Sequence, residues 1–292
     1  METVYFTRTT GGLTAQSYFY GSEYMVYIEG KDKESKGTTY DEKYYNAILS
    51  YLLPGKKVTI KVVGSCHDVL HIYRQILNSN ISNTICFIDR DYSGVTFNHI
   101  SDYRLIRTYG YSWENDFWST ELCYFMINSL TNHNPNALNE FATKLKFGVS
   151  RLAFLHKINV ACTFLNFNIL ALGCKGQDGI IYDSESLFLV SNSEIKRIVL
   201  PLKKHPEIKE LRFFYKQIEA LPERLIQGHY FEYIMLRAIK DVSKKYSPEK
   251  IAASEKIIKI ISFSQFMIRP SNFLPPAVLD YYQEKLNLFL ER

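Results

Sequence analysis

A chain of 292 residues that is 46% apolar and 22% charged, with 14 Gly and 9 Pro, has material for one large core or two modest ones. That balance excludes collagen-like, low-complexity and disordered classes, and a net charge of +5 is too small to announce a nucleic-acid partner by itself. The unusual quantity is a 15% aromatic share made of 22 Tyr and 19 Phe against 2 Trp, because buried Tyr hydroxyls need water or polar partners.

The opening METVYFTRTTGGL lacks the basic start and apolar run of a secretion signal. YMVYIEG, residues 24–30, reads as the first core strand. The spacing of Tyr44, Tyr45, Ile48, Leu49 and Leu52 predicts a helix over 39–53, stopped by Pro54-Gly55. VTIKVVG, residues 58–64, is a second strand, and Val69, Leu70, Tyr73, Ile76 and Leu77 mark a second helix. TICFID, residues 84–89, is nearly continuous in apolar residues, as suits a strand covered on both faces. RLIRTYG, 104–110, is a fourth strand, with a helix over 114–130 behind it. This alternation predicts an α/β fold, a Rossmann-like, mostly parallel sheet flanked by helices, over 1–135.

From 136 to 292 the pattern turns mainly helical: 137–172 with a break near Gly148, then 207–220, 222–242, 248–263 and 275–290, with a small hairpin at 180–190. The stretch 158–173 is apolar but interrupted by Asn159, Asn166 and Asn168, so it reads as a buried helix and no membrane span is expected. Cys66, Cys86, Cys123, Cys162 and Cys174 include no pair at two-residue spacing, which suits reduced thiols in a cytoplasmic protein. From Lys196 onward there are 18 Lys or Arg against 11 Asp or Glu, so the basic charge is segregated into the helical part.

Chemistry enters through acids at strand ends. Glu29 closes the first strand and precedes Gly30, Asp89 and Asp91 close the third, and Glu114 follows the fourth. In an open parallel sheet the carboxyl ends of strands border the ligand crevice. Mg²⁺ or Mn²⁺ takes oxygen ligands, often one or two carboxylates completed by water and phosphate. Asp89 and Asp91, two apart on an extended segment, would project to the same side. Either acid alone is as readily a turn former or cap, and Glu114 suits a helix start through the helix dipole. Gly30 and Lys31 are candidates for phosphate contact beside Glu29. In the second step, Ser65 or Asp68 is as good a helix cap as the turn is a phosphate site.

VYIEGKDK, the Gly-Ser-x-x-Asp-Val step at 64–69, FIDRDY and WEN together resemble the TOPRIM nucleases of bacterial anti-phage defence, including AriB-like effectors of PARIS systems. The resemblance covers residues 24–118 by motif and is looser beyond, resting there on Gly228-His229. It implies a metal-dependent endonuclease acting as a toxic effector, with Glu29, Asp89 and Asp91 as metal ligands and Glu114 as a further acid. It also implies tRNA as substrate, a partner ATPase of the AriA type and an active homodimer. A second family acid four residues after Glu29 is replaced by Lys33, with Asp32 beside it. His229 is a candidate for phosphate or proton transfer against the plainer reading of a structural histidine. Lys203, Lys204 and His205 form one basic turn and Lys244 with Lys245 another; each alone suits a solvated surface, and joined by Arg212, Lys216, Arg224 and Arg237 they are candidates for a phosphate-binding face. Phe213, Phe214 and Tyr215 read as core. Two other readings stay open: a DxD phosphatase, and a non-catalytic subunit that docks on an ATPase.

Overall fold

The computed structural model describes residues 12–13, 15–30, 38–96, 102–170, 179–183, 187–248 and 253–292. They fall into two compact units. The first gathers Met1–Asp89, Ile100–Thr108 and Pro276–Arg292; the second holds Arg90–His99 and Tyr109–Pro275.

The first unit is built on four parallel strands in the order β2-β1-β3-β4: β1 (Tyr24–Ile28), β2 (Val58–Val62), β3 (Thr84–Ile88) and β4 (Leu105–Arg107). Register sets Val26 opposite both Ile60 and Ile85, and Phe87 opposite Ile106. All five residues of β3 are buried, as its unbroken apolar run requires. After α1 (Gln16–Tyr20) and β1 comes α2 (Tyr40–Leu52), which starts where Thr39 Oγ1 accepts the Glu42 N–H at 3.2 Å. Its buried face is the predicted one: Tyr44, Tyr45, Ile48, Leu49 and Leu52. Next, α3 (Cys66–Asn78) begins three residues before the first apolar marker, Val69. The Asp68 carboxylate, at its third position, takes both the N–H and the hydroxyl of Ser65, at 2.8 and 2.7 Å. That use of Asp68 favours the cap over the phosphate site.

The first unit also takes in the last helix, α12 (Pro276–Leu290). Tyr282 is fully buried with its ring 6.4 Å from that of Phe87 on β3, Phe289 meets Tyr24 of β1 at 5.6 Å, and the Tyr281 hydroxyl donates to Arg107 O at 2.9 Å. Part of the aromatic excess is thereby used in packing.

The second unit is helical. The predicted helix over 114–130 is two: α4 (Trp113–Phe117) and α5 (Thr120–Leu130), divided at Trp118 because Ser119 Oγ caps the second by accepting Leu122 N–H at 3.1 Å. In α6 (Pro135–Thr163) no break occurs at Gly148, where a Cβ would overlap the buried Leu189 side chain; the glycine serves packing. The sequence pattern also misses α7 (Asn192–Val199), which continues as a 3-10 turn over Leu200–Lys204. α8 (Ile208–Gln217) follows the expected span. The predicted 222–242 helix divides into α9 (Pro222–Leu225) and α10 (Gly228–Tyr246), since Ile226 and Gln227 are extended and Asn115 Nδ2 captures Ile226 O at 2.9 Å. α11 (Glu255–Ile268) starts at a Ser254 cap, later than predicted. The expected hairpin at 180–190 is a single antiparallel bridge, Tyr182 to Val190.

Among the described residues no helix is long and apolar enough to cross a membrane, and Cys66, Cys86, Cys123 and Cys162 form no disulfide. Cys174, Lys31, Asp32 and Lys33 lie outside the described residues.

Candidate functional site

In the order β2-β1-β3-β4 the connection leaves β1 toward one edge and passes back over it to β3, so the strand order reverses between β1 and β3. Ligands in open parallel sheets bind outside the carboxyl ends at such a reversal. Glu29 follows β1 and Asp89 follows β3, so two of the four predicted acids stand at that point. The Asp89 backbone N–H donates to Glu29 Oε2 at 3.2 Å, while the Glu29 N–H continues the ladder to Phe87 O at 3.1 Å. Both acids are half-buried.

Gly30 turns away from the parallel ladder and pairs with Gly64 through its N–H to Gly64 O at 2.9 Å. A Cβ at Gly30 would stand 3.0 Å from Val62 Cγ1 and 3.1 Å from the Asp41 carboxyl carbon. Asp41, in the first turn of α2, is therefore a third acid at this edge that sequence reasoning overlooked. A helix-start carboxylate is so ordinary that only the contact with Gly30 singles it out.

The remaining candidates belong to the second unit. Asp91 does not continue the extended geometry that would align it with Asp89. Its φ is 49°, in the left-handed region, and its N–H donates to Tyr111 O at 2.8 Å. Surrounding protein raises its carboxyl pKa, and a hydrogen bond with the Tyr111 side chain opposes the rise. Because the residue keeps an exposed surface, solvent limits that shift and a carboxylate is expected at neutral pH. Glu114 sits in the first turn of α4 and accepts the Ser112 hydroxyl at 2.6 Å. A Cβ at Gly228 would overlap Ser112 Oγ and stand 2.7 Å from Glu114 Oε2, so Gly228 makes room for this pair. That contact, set by residues over a hundred positions apart, gives the Gly228-His229 step a packing role.

His229 is half-buried, its Nε2 has no hydrogen-bond partner, and burial lowers its pKa, with Glu232 opposing. It faces a polar cluster that the sequence did not announce. His156 on α6 is fully buried, both ring nitrogens lack partners, and its ring packs edge-on to Tyr230 at 5.2 Å. Burial, then the neighbouring His229, takes its pKa down to about 3, so it is neutral. Asn159, one turn on, uses its carbonyl to hold the N–H groups of Ile169 and Leu170, each at 2.9 Å. The Tyr92 hydroxyl lies against Asn159 and Gln227 without an aligned bond, and burial raises it to about 12.

The basic candidates separate. Arg237 pairs with Glu255 at 3.0 Å and Arg224 lies over the Tyr109 ring, so neither presents a simple phosphate contact. Lys203 and Lys204 are exposed on the 3-10 turn and line an open cavity of about 670 Å³. The expectation that Phe213 is core fails: it is 59% exposed, whereas Phe214 stacks on Phe164 at 4.8 Å.

Among the described residues no three His, Cys, Asp or Glu side chains are grouped closely enough to hold a metal ion. The Glu29-Asp89 pair nonetheless has the donor set that Mg²⁺ accepts, two carboxylates with water or phosphate oxygens to complete the shell. No protein-family model matches the chain, and no curated protein matches it.

Proposed function

We propose that the chain is a divalent-metal-dependent TOPRIM-type nuclease. The observation that carries this reading is the meeting of Glu29 and Asp89 at the reversal of strand order, joined by the 3.2 Å hydrogen bond. A bound Mg²⁺ or Mn²⁺ would supply charge neutralisation of a phosphodiester and activation of a water. Glu29 and Asp89 would hold it; Asp91 is a third ligand on the resemblance alone, since its positive φ turns it away from the extended geometry shared with Asp89. The side of Gly30 that a Cβ would occupy is taken by Val62 and the Asp41 carboxyl, so Gly30 serves the close approach of these groups beside Glu29. In the second unit, Glu114 and His229 are proposed as the further acid and the proton-transfer group. On the resemblance of the motifs, tRNA is the proposed substrate, an AriA-type ATPase the proposed partner and a homodimer the proposed active form. The test is cleavage of total tRNA by purified protein with Mg²⁺ or Mn²⁺, wild type against Glu29→Ala. Full cleavage by a folded Glu29→Ala protein would overturn the reading.

A second reading draws support from the absence of a three-ligand group among the described residues: a non-catalytic subunit that retains the TOPRIM-like sheet as a scaffold. It predicts that neither Mg²⁺ nor Mn²⁺ stabilises the wild type against heat, whereas a resident site raises Tm with metal concentration.

A further inference from the structure

We infer that the cavity lined by Lys196, Arg197, Leu200, Pro201, Lys203 and Lys204 is a binding site for the phosphodiester backbone of a single-stranded nucleic acid. It is formed by one continuous helical segment, α7 and the 3-10 turn that extends it. On such a segment Lys196, Leu200 and Lys203-Lys204 recur at four and seven or eight residues, which brings them to one side. The opposite side is fixed in the protein by Ile198 and Leu202, 8% and 7% exposed, so the lysines are presented by a turn that cannot roll.

The lining is chemically specific. It has four cations and no carboxylate. Arg197 is held by Glu194 at 2.6 Å and donates to Gly179 O at 2.9 Å, which leaves the three exposed lysines as the principal anion-seeking groups. Between them Leu200, 51% exposed, and Pro201 form an apolar floor. Ammonium groups around an apolar floor match a strand that offers phosphates along one edge and the flat face of a base or sugar between them. Just beyond the turn, the His205 ring stacks on Phe167 at 4.5 Å. A polycarboxylate peptide would satisfy the lysines but leave the floor unused.

This site deepens the nuclease reading by naming where the polyanion is held, and it rests on that reading only for the choice of ligand. Its test therefore omits metal, so that loss of binding and loss of cleavage are read separately. Anisotropy of a labelled oligouridylate, in EDTA, is followed on the full chain from about 50 to about 200 mM salt, beside oligothymidylate and polyglutamate. Each phosphate contact on a single strand contributes about 0.7 to the slope of log K against log salt. Lys203→Ala with Lys204→Ala should flatten that slope by about 1.4, and Lys196→Ala by about 0.7. Across this range the double variant should lose about seven-fold less affinity than the wild type. Lys57→Ala, at an exposed position of the first unit, should leave the slope unchanged. Equal tightness for the uridylate and thymidylate strands supports a backbone site, and a preference for either supports one that also reads the sugar or base. An unchanged slope in the double variant, polyglutamate bound as tightly as the oligonucleotides, or no strand binding at the lowest salt would each overturn the assignment.

Discussion

The two units differ in how many buried polar atoms they leave without a hydrogen-bond partner. In the first, the strand-end acids and cap residues are tied to backbone donors: Glu29 to the Asp89 N–H and Asp68 to the Ser65 N–H. In the second, His156, Asn159, Gln227 and His229 all carry buried atoms without partners. Unpaired buried polar atoms are uncommon because each forfeits solvation worth about 1–3 kcal/mol. Among the described residues such atoms are more frequent in the second unit.

Five measurements would break or sharpen this contrast. The largest effect is expected at the acid pair, where Glu29→Ala should lower cleavage by about 10³-fold or more while the far-ultraviolet CD is unchanged. Removing Asp91 separates the units chemically: an equal loss makes it a ligand, and a retained rate makes it a turn residue held by Tyr111. Tyr282→Ala should destabilise the first unit by about 3–5 kcal/mol, because a fully buried ring against Phe87 is deleted. Hydrogen exchange should show that loss in β1 and β3. Gly228→Ala forces a Cβ onto Ser112 and Glu114, and should cost about 1–3 kcal/mol in chemical denaturation.

The smallest effect, and the most diagnostic of the second unit, is His156→Leu. With no hydrogen bond to lose, its stability at pH 7 should be unchanged or slightly higher. The pH dependence should change more. The folded-state pKa of His156, about 3, is below its unfolded value near 6.5, so the unfolded chain binds the proton first. Stability from keeping it neutral is complete above pH ~6.5 and is lost as pH falls toward 3, by up to about 1.4 kcal/mol per pH unit. Denaturation midpoints between pH ~4.5 and ~6.5 should fall less steeply in His156→Leu than in the wild type. Equal slopes would assign the acid sensitivity to other groups, His229 foremost.

Local signals carried the sheet. Continuous apolar runs marked β1, β2 and β3 to within two residues, and their alternation with amphipathic stretches gave the parallel α/β class. The acids at β1 and β3 were legible because a strand's carboxyl end is a position in sequence as well as in space. What local pattern could not carry was contact across the chain. Asp41 reads as a helix-start acid until Gly30 is seen against it. Asp91 reads as extended until its positive φ is seen, since Asp tolerates that region without any sequence mark. α4 and α5 read as one helix because a serine inside an apolar pattern marks a cap only when its hydroxyl faces the next turn.

The return of α12 to the sheet has a consequence for synthesis. Its Tyr282 and Phe289 cover Phe87 and Tyr24, so the strands that end in Glu29 and Asp89 wait for a helix translated after the whole second unit. At ordinary elongation rates that delay is roughly 10–40 s. During it the apolar side of β1 and β3 has no native cover from this helix, and the pair proposed to cut nucleic acid has no finished sheet to hold it. A chain released early from the ribosome would carry both acids and lack the helix that completes their support.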